Sequence, residues 1–559
     1  MKTNMRNIVL MLAGFSLLLV ACNKESISVD TPKAARIETL TVQTESETKV
    51  NVNAVGALSW TSGDEIAVWK GTDASTGSYI SCEVEGESVS VPLEEGESRY
   101  NYAIYPSTDK VDANYSAASL QVALPGAYDI TGKDGVYSPV PMIALQTEEE
   151  TLTFKTLTGL LRLNVIGVPN TTTTLTVNIG DNKIVGTYDV ANVPTAGHPE
   201  YTPSIAKSES GSTSIVYTIH ATGTVGGAEV VLNIPLPLGS YSAGTITVTA
   251  KDASNRVLDT KTKDYSAFTV VRNQGKKATV NFGTLCGLVF SSGNLYTTVD
   301  GEGHAVLHVA ADPFEHMINY TDQFTSGSYS LNNRAHFNWN ETKILMDGGT
   351  PTYATSKTKQ NEMAGKVIDG YYWEVLSKEE ADALISTTRT GSTVNGTPGF
   401  SYTSVVVDLS GTTYAGQGLS TATTGAPTNI GSNYIYGPLF FPDAVTIDIS
   451  ADFSAAKNAG ANPVSISYAQ LQTLLTKGCK FYPGSGFYRM GGSNGWARVG
   501  TSGYYWTSTT STSDDNKASD FVFRFFEPTP YGTTETLPGI LKDNYYLPVW
   551  LVRRYVVGS

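Results

Sequence analysis

One cluster of side chains in this sequence has the functional groups of a metal site. His304 and His308 stand four residues apart, and Asp312, Glu315 and His316 follow closely. Imidazole and carboxylate groups are the ligands that zinc prefers in proteins. The same spacing also suits histidines on one face of a strand, at the surface or in a core. We therefore predict neither a metal nor a cofactor.

A second cluster, near the carboxyl end, has groups that bind sugars. Asp514 and Asp515 lie in a Ser/Thr-rich loop, where carboxylates can hold a cation or sugar hydroxyls, or can simply be solvated. The rings of Trp496, Tyr504 and Trp506 can stack on sugar rings, although burial in a core is the competing interpretation. We predict these five residues as ligand-binding.

Charge and composition exclude other classes. Charged residues make up 16% of the 559 residues, against roughly 25% in an average soluble protein. The net charge is −14 and no basic cluster is present, which argues against nucleic acid, whose phosphates require Lys and Arg. The glycine-rich stretch 491–496 follows no strand-to-helix pattern, so a phosphate loop is not predicted. We predict that the protein is not an enzyme.

The amino end has the features of an export signal. Lys2 and Arg6 precede an apolar run, 8–21, that is too short to span a bilayer. The sequence Leu19-Val20-Ala21-Cys22 resembles a bacterial lipobox. The resemblance implies cleavage before Cys22 and acylation, with palmitate among the lipids, of its thiol and new amino group. A non-lipidated secretory signal is the alternative. Two or more acyl chains would hold the precursor on a membrane.

The remaining cysteines are Cys82, Cys286 and Cys479, an odd number for a disulfide scaffold. Cys286 and Cys479 could pair across one domain, but small buried hydrophobic cysteines are the more common case.

Alternating apolar residues predict a mainly β chain, divided into a signal peptide (1–21), a tether (22–35), a first β-sandwich (36–165), a second β-sandwich (166–285) and a C-terminal domain (286–559). In the leading strand, 36–43, Leu40 and Val42 share one face, and Thr39, Thr41 and Gln43 share the other. The stretch 60–68 predicts a turn at Gly63-Asp64 that enters an alternating strand. Further predicted strands are 50–55, 100–105, 119–124, 152–157, 160–165, 173–179, 214–220, 229–234 and 244–250.

Five motifs in the two β-sandwiches resemble, in their order, those of the fimbrillins, the lipoprotein pilins of Bacteroidales-type bacteria. They are Trp60-x-x-Gly63-Asp64-x-Ile66, Ala103-Ile104-Tyr105-Pro106, Pro141-Met142-Ile143-Ala144, Phe154-Lys155-x-Leu157-x-Gly159-Leu160-Leu161-Arg162-Leu163 and Val271-Arg272-Asn273.

The resemblance implies two transthyretin-like sandwiches and assembly by strand exchange. In that family a trypsin-like protease cuts the loop after the first strand, and another subunit's strand fills the vacated groove, which by resemblance implies cleavage after Lys49 here. Lys49 stands where the family more often has arginine. Arg36 is the competing site, but cleavage there would leave the first strand in place.

The C-terminal domain is predicted to be α+β, with helices after the capping boxes at Ser377 and Ser467. Its predicted strands are 404–408, 439–441, 504–508, 521–526 and 550–556. Motifs such as 372–377, 437–443, 478–483, 505–508 and 552–553 resemble C-type-lectin-like domains of bacterial surface proteins. The resemblance implies that the first and last strands of the domain pair. The Glu-Pro-Asn and Trp-Asn-Asp pair of calcium-dependent sugar binders is not matched, so calcium-dependent binding is not carried over.

Together these features predict a fimbrial tip adhesin. The sequence ends in the closing strand of the lectin-like domain and not in a free donor strand, so we expect the subunit to accept a strand and to terminate a fibre. Expected partners are a strand-donating pilin, the outer membrane through the lipid of the precursor, and an unknown glycan or protein receptor. The expected location is the outer membrane, and then the extracellular fimbrium.

Two other functions stay open. One is a cell-surface glycan-binding lipoprotein that never polymerises. The other is an enzyme, because lectin-like folds include formylglycine-generating enzymes. Those enzymes need reactive cysteines, whereas Cys286 lies at the edge of the domain and Cys479 in an apolar stretch.

Overall fold

The fold is mainly β, as predicted, with four short helices in the described part of the C-terminal region. The computed structural model describes residues 36–44, 60, 63–70, 78–93, 99–107, 113–116, 119–131, 140–148, 151–192, 202–219, 229–317, 329–358, 363–386, 388–416, 433–453, 457, 463–490, 495–500, 502–511, 514, 516–524, 535–543 and 545–558. The predicted strand 50–55 lies outside these residues.

The strands before residue 160 are β1 (Arg36–Thr44), β2 (Glu65–Lys70), β3 (Ser78–Glu85), β4 (Ser88–Leu93), β5 (Arg99–Tyr105), β6 (Ala113–Ser116), β7 (Ser119–Leu124), β8 (Ala127–Asp129), β9 (Met142–Glu148), β10 (Thr151–Thr156) and the start of β11 (Gly159–Ile166). Those that follow are β12 (Thr174–Ile179), β13 (Gly186–Ala191), β14 (Ser204–Ile205), β15 (Ser214–Thr218), β16 (Val230–Leu236), β17 (Gly239–Tyr241), β18 (Gly244–Lys251), β19 (Val257–Tyr265), β20 (Phe268–Val270) and β21 (Gly275–Asn281).

The C-terminal region contains β22 (Val289–Phe290), β23 (Leu295–Val299), β24 (Ala305–Val309), α1 (Trp339–Met346), α2 (Tyr353–Ser356), β25 (Lys366–Ile368), β26 (Tyr371–Val375), α3 (Lys378–Leu384), β27 (Ser392–Val394), β28 (Thr397–Phe400), β29 (Tyr402–Asp408), β30 (Tyr434–Phe440) and β31 (Thr446–Ile447). It continues with β32 (Val464–Ser467), α4 (Tyr468–Thr476), β33 (Lys480–Phe481), β34 (Phe487–Arg489), β35 (Gly495–Ala497), β36 (Ser502–Thr510), β37 (Lys517–Arg524), β38 (Glu535–Leu541), β39 (Tyr545–Tyr546) and β40 (Leu551–Val556).

The first body is a closed barrel whose described strands follow the order β1-β10-β9-β5-β2-β3-β4, with β4 returning to β1. Its core consists of the inward residues of these alternating strands, among them Leu40, Val42 and Phe154. The ring of Trp60 packs edge-on against Tyr105 and Phe154, with centroids 5.3 and 5.2 Å away. The tryptophan of the first motif thus supports the barrel core.

The second body packs a five-stranded sheet, β19-β18-β12-β15-β8, against β16-β11-β21 around one core. Two strands from the predicted first sandwich pair here: β8 pairs with β15, and β11 pairs with β16 and β21. β7 also pairs with β13. Strands β8 and β11, which begin before residue 165, therefore belong to sheets of the second body.

The C-terminal module has the predicted α+β character. Helices α3 and α4 begin at the predicted capping boxes, with Ser377 and Ser467 accepting hydrogen bonds from the amides of Glu380 and Gln470. Helices α1 and α2 begin at two further capping boxes, Asn338 and Thr352, which the sequence analysis did not predict. The helices among the described residues are all too short or too polar to cross a membrane.

Candidate functional site

The leading strand, β1, is held on both edges and closes the barrel. It pairs antiparallel with β4 and parallel with β10. Leu40 lies opposite Val89 of β4, and Val42 lies opposite Leu152 of β10. The amide of Val42 also donates to the carbonyl of Glu87 at 2.9 Å. This strand is therefore an inner element of the barrel and not an addition to its edge.

The two faces of β1 differ as the alternation predicts. Leu40 and Val42 are 0% exposed, whereas Thr39 and Thr41 face solvent. Burying a Leu or Val side chain contributes about 1.5–3 kcal/mol relative to leaving it in water. The strand is thus held by two apolar side chains as well as by its ladder of hydrogen bonds.

Removal of β1 would leave a groove between β4 and β10. β4 and β10 would each lose the hydrogen-bond partners along one edge, and the apolar residues that cover Leu40 and Val42 would face water. Unpaired strand edges next to an apolar furrow are a template for pairing with another strand. The arrangement can therefore capture an extended segment of alternating apolar residues.

The predicted processing residues stand at different places relative to this strand. Arg36 is the first residue of β1, with its backbone opposite Leu93 of β4. Cleavage after Arg36 would leave almost all of β1 in the barrel. Lys49 lies after β1 and, like Cys22, outside the described residues.

The last described strand, β40, is an inner strand of its own sheet, whose order is β22-β40-β26-β25. Val289 and Phe290 of β22 pair with Arg553 and Val552 of β40. This confirms the predicted pairing between the first and last strands of the module. Because β40 is bonded on both edges, it cannot be lent to another subunit without dismantling its sheet.

The second body and the C-terminal module meet through buried charge. The guanidinium of Arg553 on β40 contacts the carboxylate of Asp259 on β19, and their side chains are 12% and 7% exposed. Its Cζ lies 4.8 Å from the ring centroid of Tyr371. Nearby, the Cζ of Arg256 lies 4.2 Å from the ring centroid of Tyr555. β40 is thus packed against the second body.

Two of the aromatic residues predicted to bind ligand lie in the core. Tyr504 and Trp506 on β36 are 5% and 1% exposed. The indole Nε1 of Trp506 donates to the carbonyl of Phe337 at 2.8 Å. Rings enclosed in this way cannot stack on a sugar in this conformation. Their burial agrees with the alternative interpretation, that these aromatic residues belong to the core.

Of the other three predicted ligand residues, the structure describes the side chain of Asp514 alone. Asp514 lies between β36 and β37, where its Oδ1 accepts the amide of Asn516 at 3.0 Å and its Oδ2 lies 3.4 Å from Nζ of Lys517. Trp496 lies on β35, and its side chain is outside the described part of the structure, as is Asp515. Of the five predicted residues, the structure therefore places only the side chains of Tyr504 and Trp506, in the core, and of Asp514, in the turn between β36 and β37.

The histidine cluster of the sequence analysis is an aromatic stack. The ring of Tyr296 lies 5.1 Å from that of His308 and 4.1 Å from that of His316. Nδ1 of His304 instead lies 3.5 Å from a carboxylate oxygen of Asp300. Within the described ranges, no three His, Cys, Asp or Glu side chains are placed to hold a metal ion.

The three described cysteines are free, so Cys286 and Cys479 are not paired. Burial raises the pKa of Cys82 and of Cys286 to about 11, and it raises that of Cys479 further. The thiols are therefore protonated at neutral pH, which disfavours nucleophilic chemistry.

Two parts of the candidate site were missed from the sequence. One is the β3–β4 hairpin, which supplies one wall of the groove. The alternation of Ile80, Cys82 and Val84, a turn at Gly86 with φ +65°, and a second alternation from Val89 would have indicated it. The other is a set of basic residues where the second body meets the C-terminal module, namely Lys261, Lys480 and Arg553, which are far apart in the sequence and share no local pattern.

Comparison with known proteins gives structural likeness only. No family model and no curated protein matches the chain. A candidate cell adhesion protein from Bacteroides ovatus shares 14% identity at a TM-score of 0.27, and the match covers 50% of this chain and 97% of that one. Another candidate cell adhesion protein, from Bacteroides uniformis, shares 12% identity at a TM-score of 0.25, and the match covers 49% of this chain and 97% of that one. A fimbrial protein from Bacteroides ovatus shares 11% identity at a TM-score of 0.20, and the match covers 89% of this chain and 95% of that one. At these scores the likeness carries no functional argument.

Proposed function

We propose that this chain is a fimbrial tip adhesin, exported as a lipoprotein and assembled by protease-triggered donor-strand exchange. The observation that carries the proposal is the position of β1, the first described strand, between β4 and β10 in a closed barrel. A leading strand in this position acts as a plug: one cut behind it frees a segment whose loss opens the barrel.

The energetics favour replacement of the plug over an open groove. Each buried backbone group left without a partner costs about 1–3 kcal/mol, and the furrow beneath Leu40 and Val42 would lose its apolar cover. A donated strand restores the main-chain hydrogen bonds, and its alternate side chains determine the register. The partner is accordingly a pilin subunit that offers an extended, alternating strand.

Processing follows from the order of residues along the chain. Acylation at Cys22 anchors the precursor in the outer membrane, and cleavage after Lys49 removes the lipid and β1 together. The processed subunit then leaves the membrane for the extracellular fimbrium. Arg36 cannot replace Lys49 in this scheme, because cleavage there leaves the plug in the barrel.

The C-terminal module is the receptor-binding part of the proposal. Its strand β40 is bonded to β22 and β26, so it is committed to its own sheet. A subunit that accepts a strand but commits this one fits the end of a fibre. The receptor would be a glycan or a protein, bound without an enzymatic step.

A disulfide lock tests whether release of β1 is required. Thr39 and Ser90 are both exposed and lie directly opposite on β1 and β4, and opposed antiparallel residues have the Cα separation that a disulfide needs. The variant Thr39→Cys/Ser90→Cys should resist exchange after limited tryptic cleavage. The probe is uptake of a labelled synthetic peptide with the sequence of residues 36–44. Uptake by the cleaved, locked protein should be absent and should return on reduction.

The matched control is Glu85→Cys/Ser88→Cys, which locks the β3–β4 hairpin, a unit that exchange leaves in place. It should take up the peptide as the unmodified protein does. Equal uptake by both locked variants, or no uptake by the cleaved wild-type chain, would contradict the proposal. The second outcome would favour a surface glycan-binding lipoprotein that never polymerises.

A further inference from the structure

A cavity of about 660 Å³ opens between the second body and the C-terminal module. This volume lies within the range of roughly 300–1,000 Å³ that is typical of small-molecule sites. Its walls come from β19 and the end of β21 on one side, and from β22, β26, β40 and the segment after α4 on the other. We refer to it as the junction cleft.

Positive charge gathers in this cleft although the protein as a whole is acidic. Its lining includes Lys261, Lys477, Lys480 and Arg553, whereas Asp369, at an exposed position, is the one carboxylate that lines it within the described residues. A concave site lined by one sign of charge attracts ligands of the other sign. The cleft therefore favours an anion.

The carboxylate nearest to these cations is already shared. Asp259 contacts the guanidinium of Arg553, and its other oxygen lies 3.2 Å from Nζ of Lys261. One carboxylate thus faces two cations. Nε of Arg553 is buried and makes no hydrogen bond, so this guanidinium retains an unused donor.

Among the described residues Lys480 makes no direct ion pair, and the carboxylate that acts on it, Asp259, is the one already shared by Arg553 and Lys261. Its Nζ donates to the carbonyl of Ser291 at 3.2 Å. Burial lowers the pKa of Lys480 to about 8, and the positive charges of Lys261 and Arg553 lower it in the same direction. At neutral pH this ammonium is mostly charged and faces other cations, which is a repulsion that a bound anion would relieve.

The remaining lining indicates what carries the anion. Thr262, Asn281, Ser292 and Thr476 supply hydroxyl and amide groups, and the ring of Tyr371 adds an aromatic wall. Hydroxyls, an amide and an aromatic ring around a cationic centre match a polyhydroxylated ring that bears an acidic group. We propose that the junction cleft binds an acidic sugar, with its carboxylate or sulfate between Lys261, Lys480 and Arg553.

Assigning this sugar to a receptor glycan depends on the adhesin role proposed above, whereas binding itself does not. The test therefore uses the purified full-length chain and no fibres. If the purified chain does not bind the sugar, this inference is wrong, but the proposal of strand exchange still holds. If the disulfide-lock experiment fails, the proposal of strand exchange is wrong, but sugar binding in the cleft still holds.

Titration calorimetry with D-glucuronate, galactose 6-sulfate and uncharged glucose is the direct experiment. Glucuronate should bind with a dissociation constant of about 1 mM, as expected for a ligand of this size, and glucose should not bind measurably. Binding should weaken modestly as salt is added, because Lys261 is 38% exposed and its charge is screened, whereas the more buried Arg553 is screened less. Tighter binding of galactose 6-sulfate, lost in the same variants, would assign sulfate as the anion and support the site.

Two variants and a control locate the site. Lys480→Met and Lys261→Met should each weaken glucuronate binding by about tenfold, a loss of about 1.4 kcal/mol. Lys276→Met removes an exposed lysine of β21 that does not line the cleft, and it should leave the affinity unchanged. Lys261 is exposed enough to be replaced if Lys480→Met fails to fold. Equal binding of glucose and glucuronate, or wild-type affinity in both folded variants, would overturn the inference.

Discussion

Truncation of Leu40 should loosen the plug by an amount that follows from its burial. The side chain is 0% exposed and packs in the barrel core. Leu→Ala changes in such positions cost about 2–5 kcal/mol, since a cavity remains. With about 3 kcal/mol for Leu40→Ala, the open state with β1 released becomes about 100 times more populated.

Hydrogen exchange on the full-length chain, followed by mass spectrometry, measures this opening. Peptides that cover β4 and β10, the two strands bonded to β1, should exchange about 100-fold faster in Leu40→Ala. Peptides from β18, which belongs to the core of the second body, should be unchanged. The cleaved chain, which has lost β1, should be insensitive to the substitution.

Thr39→Val is the matched control, because Thr39 lies on the same strand and faces solvent. A surface change of this kind alters stability by less than about 0.5 kcal/mol, so exchange in β4 and β10 should change by about twofold at most. Equal acceleration in both variants, or none in Leu40→Ala, would refute the interpretation of β1 as a plug held by its apolar face.

Three further predictions concern the C-terminal module. Burial lowers the pKa of His336 to about 3, so the folded state keeps this ring neutral while the unfolded state binds a proton below about pH 6.5. The free energy of unfolding should therefore fall as the pH drops from about 6.5 towards 3, by up to about 1.4 kcal/mol per pH unit. Chemical unfolding at a series of pH values should show a weaker pH dependence for His336→Asn than for the wild-type chain. The same pH dependence in both proteins would contradict this. Ser467→Ala removes the cap of α4 and should cost about 1 kcal/mol in urea unfolding, whereas Ser465→Ala, at an exposed position on β32, should cost little. The free, protonated Cys479 should resist thiol reagents in the native chain, and a 286–479 disulfide in peptide maps would show that the cysteine assignment is wrong.

Much of the β framework could be predicted because its strands alternate strictly. β7 coincides with the predicted strand 119–124, and β12, β15 and β18 agree with their predictions within two residues. Helices α3 and α4 were predictable for a different reason, since capping boxes such as the one at Ser377 are local signals.

Other elements have no such local signal. Helix α1 lacks a clear apolar stripe because Asn340 and Glu341 are buried along with its apolar residues. Glu341 is held there by an ion pair with the buried Arg334, a contact set by the tertiary structure. Strand β19 is rich in Lys, Asp and Thr and pairs only with β18 among the described strands, so it shows no continuous apolar alternation.

Only those parts of the candidate site that are formed by residues close together in the sequence could be predicted. The two faces of β1 followed from five consecutive residues, whereas its parallel neighbour β10 is more than a hundred residues away. The aromatic residues chosen for sugar binding were selected by type, and type does not distinguish a stacking ring from a core ring such as Trp506. The junction cleft required Lys261, Lys480 and Arg553 to meet in space.

The amino-terminal residue of the protein at the cell surface tests the central claim most directly. Protein sheared from cells should be sequenced from its amino end and its mass determined. A chain that begins at Val50, with residues 36–49 absent, is the result that removal of the plug predicts. A chain that begins at acylated Cys22 or at Ile37, with β1 still in its own barrel, would contradict it.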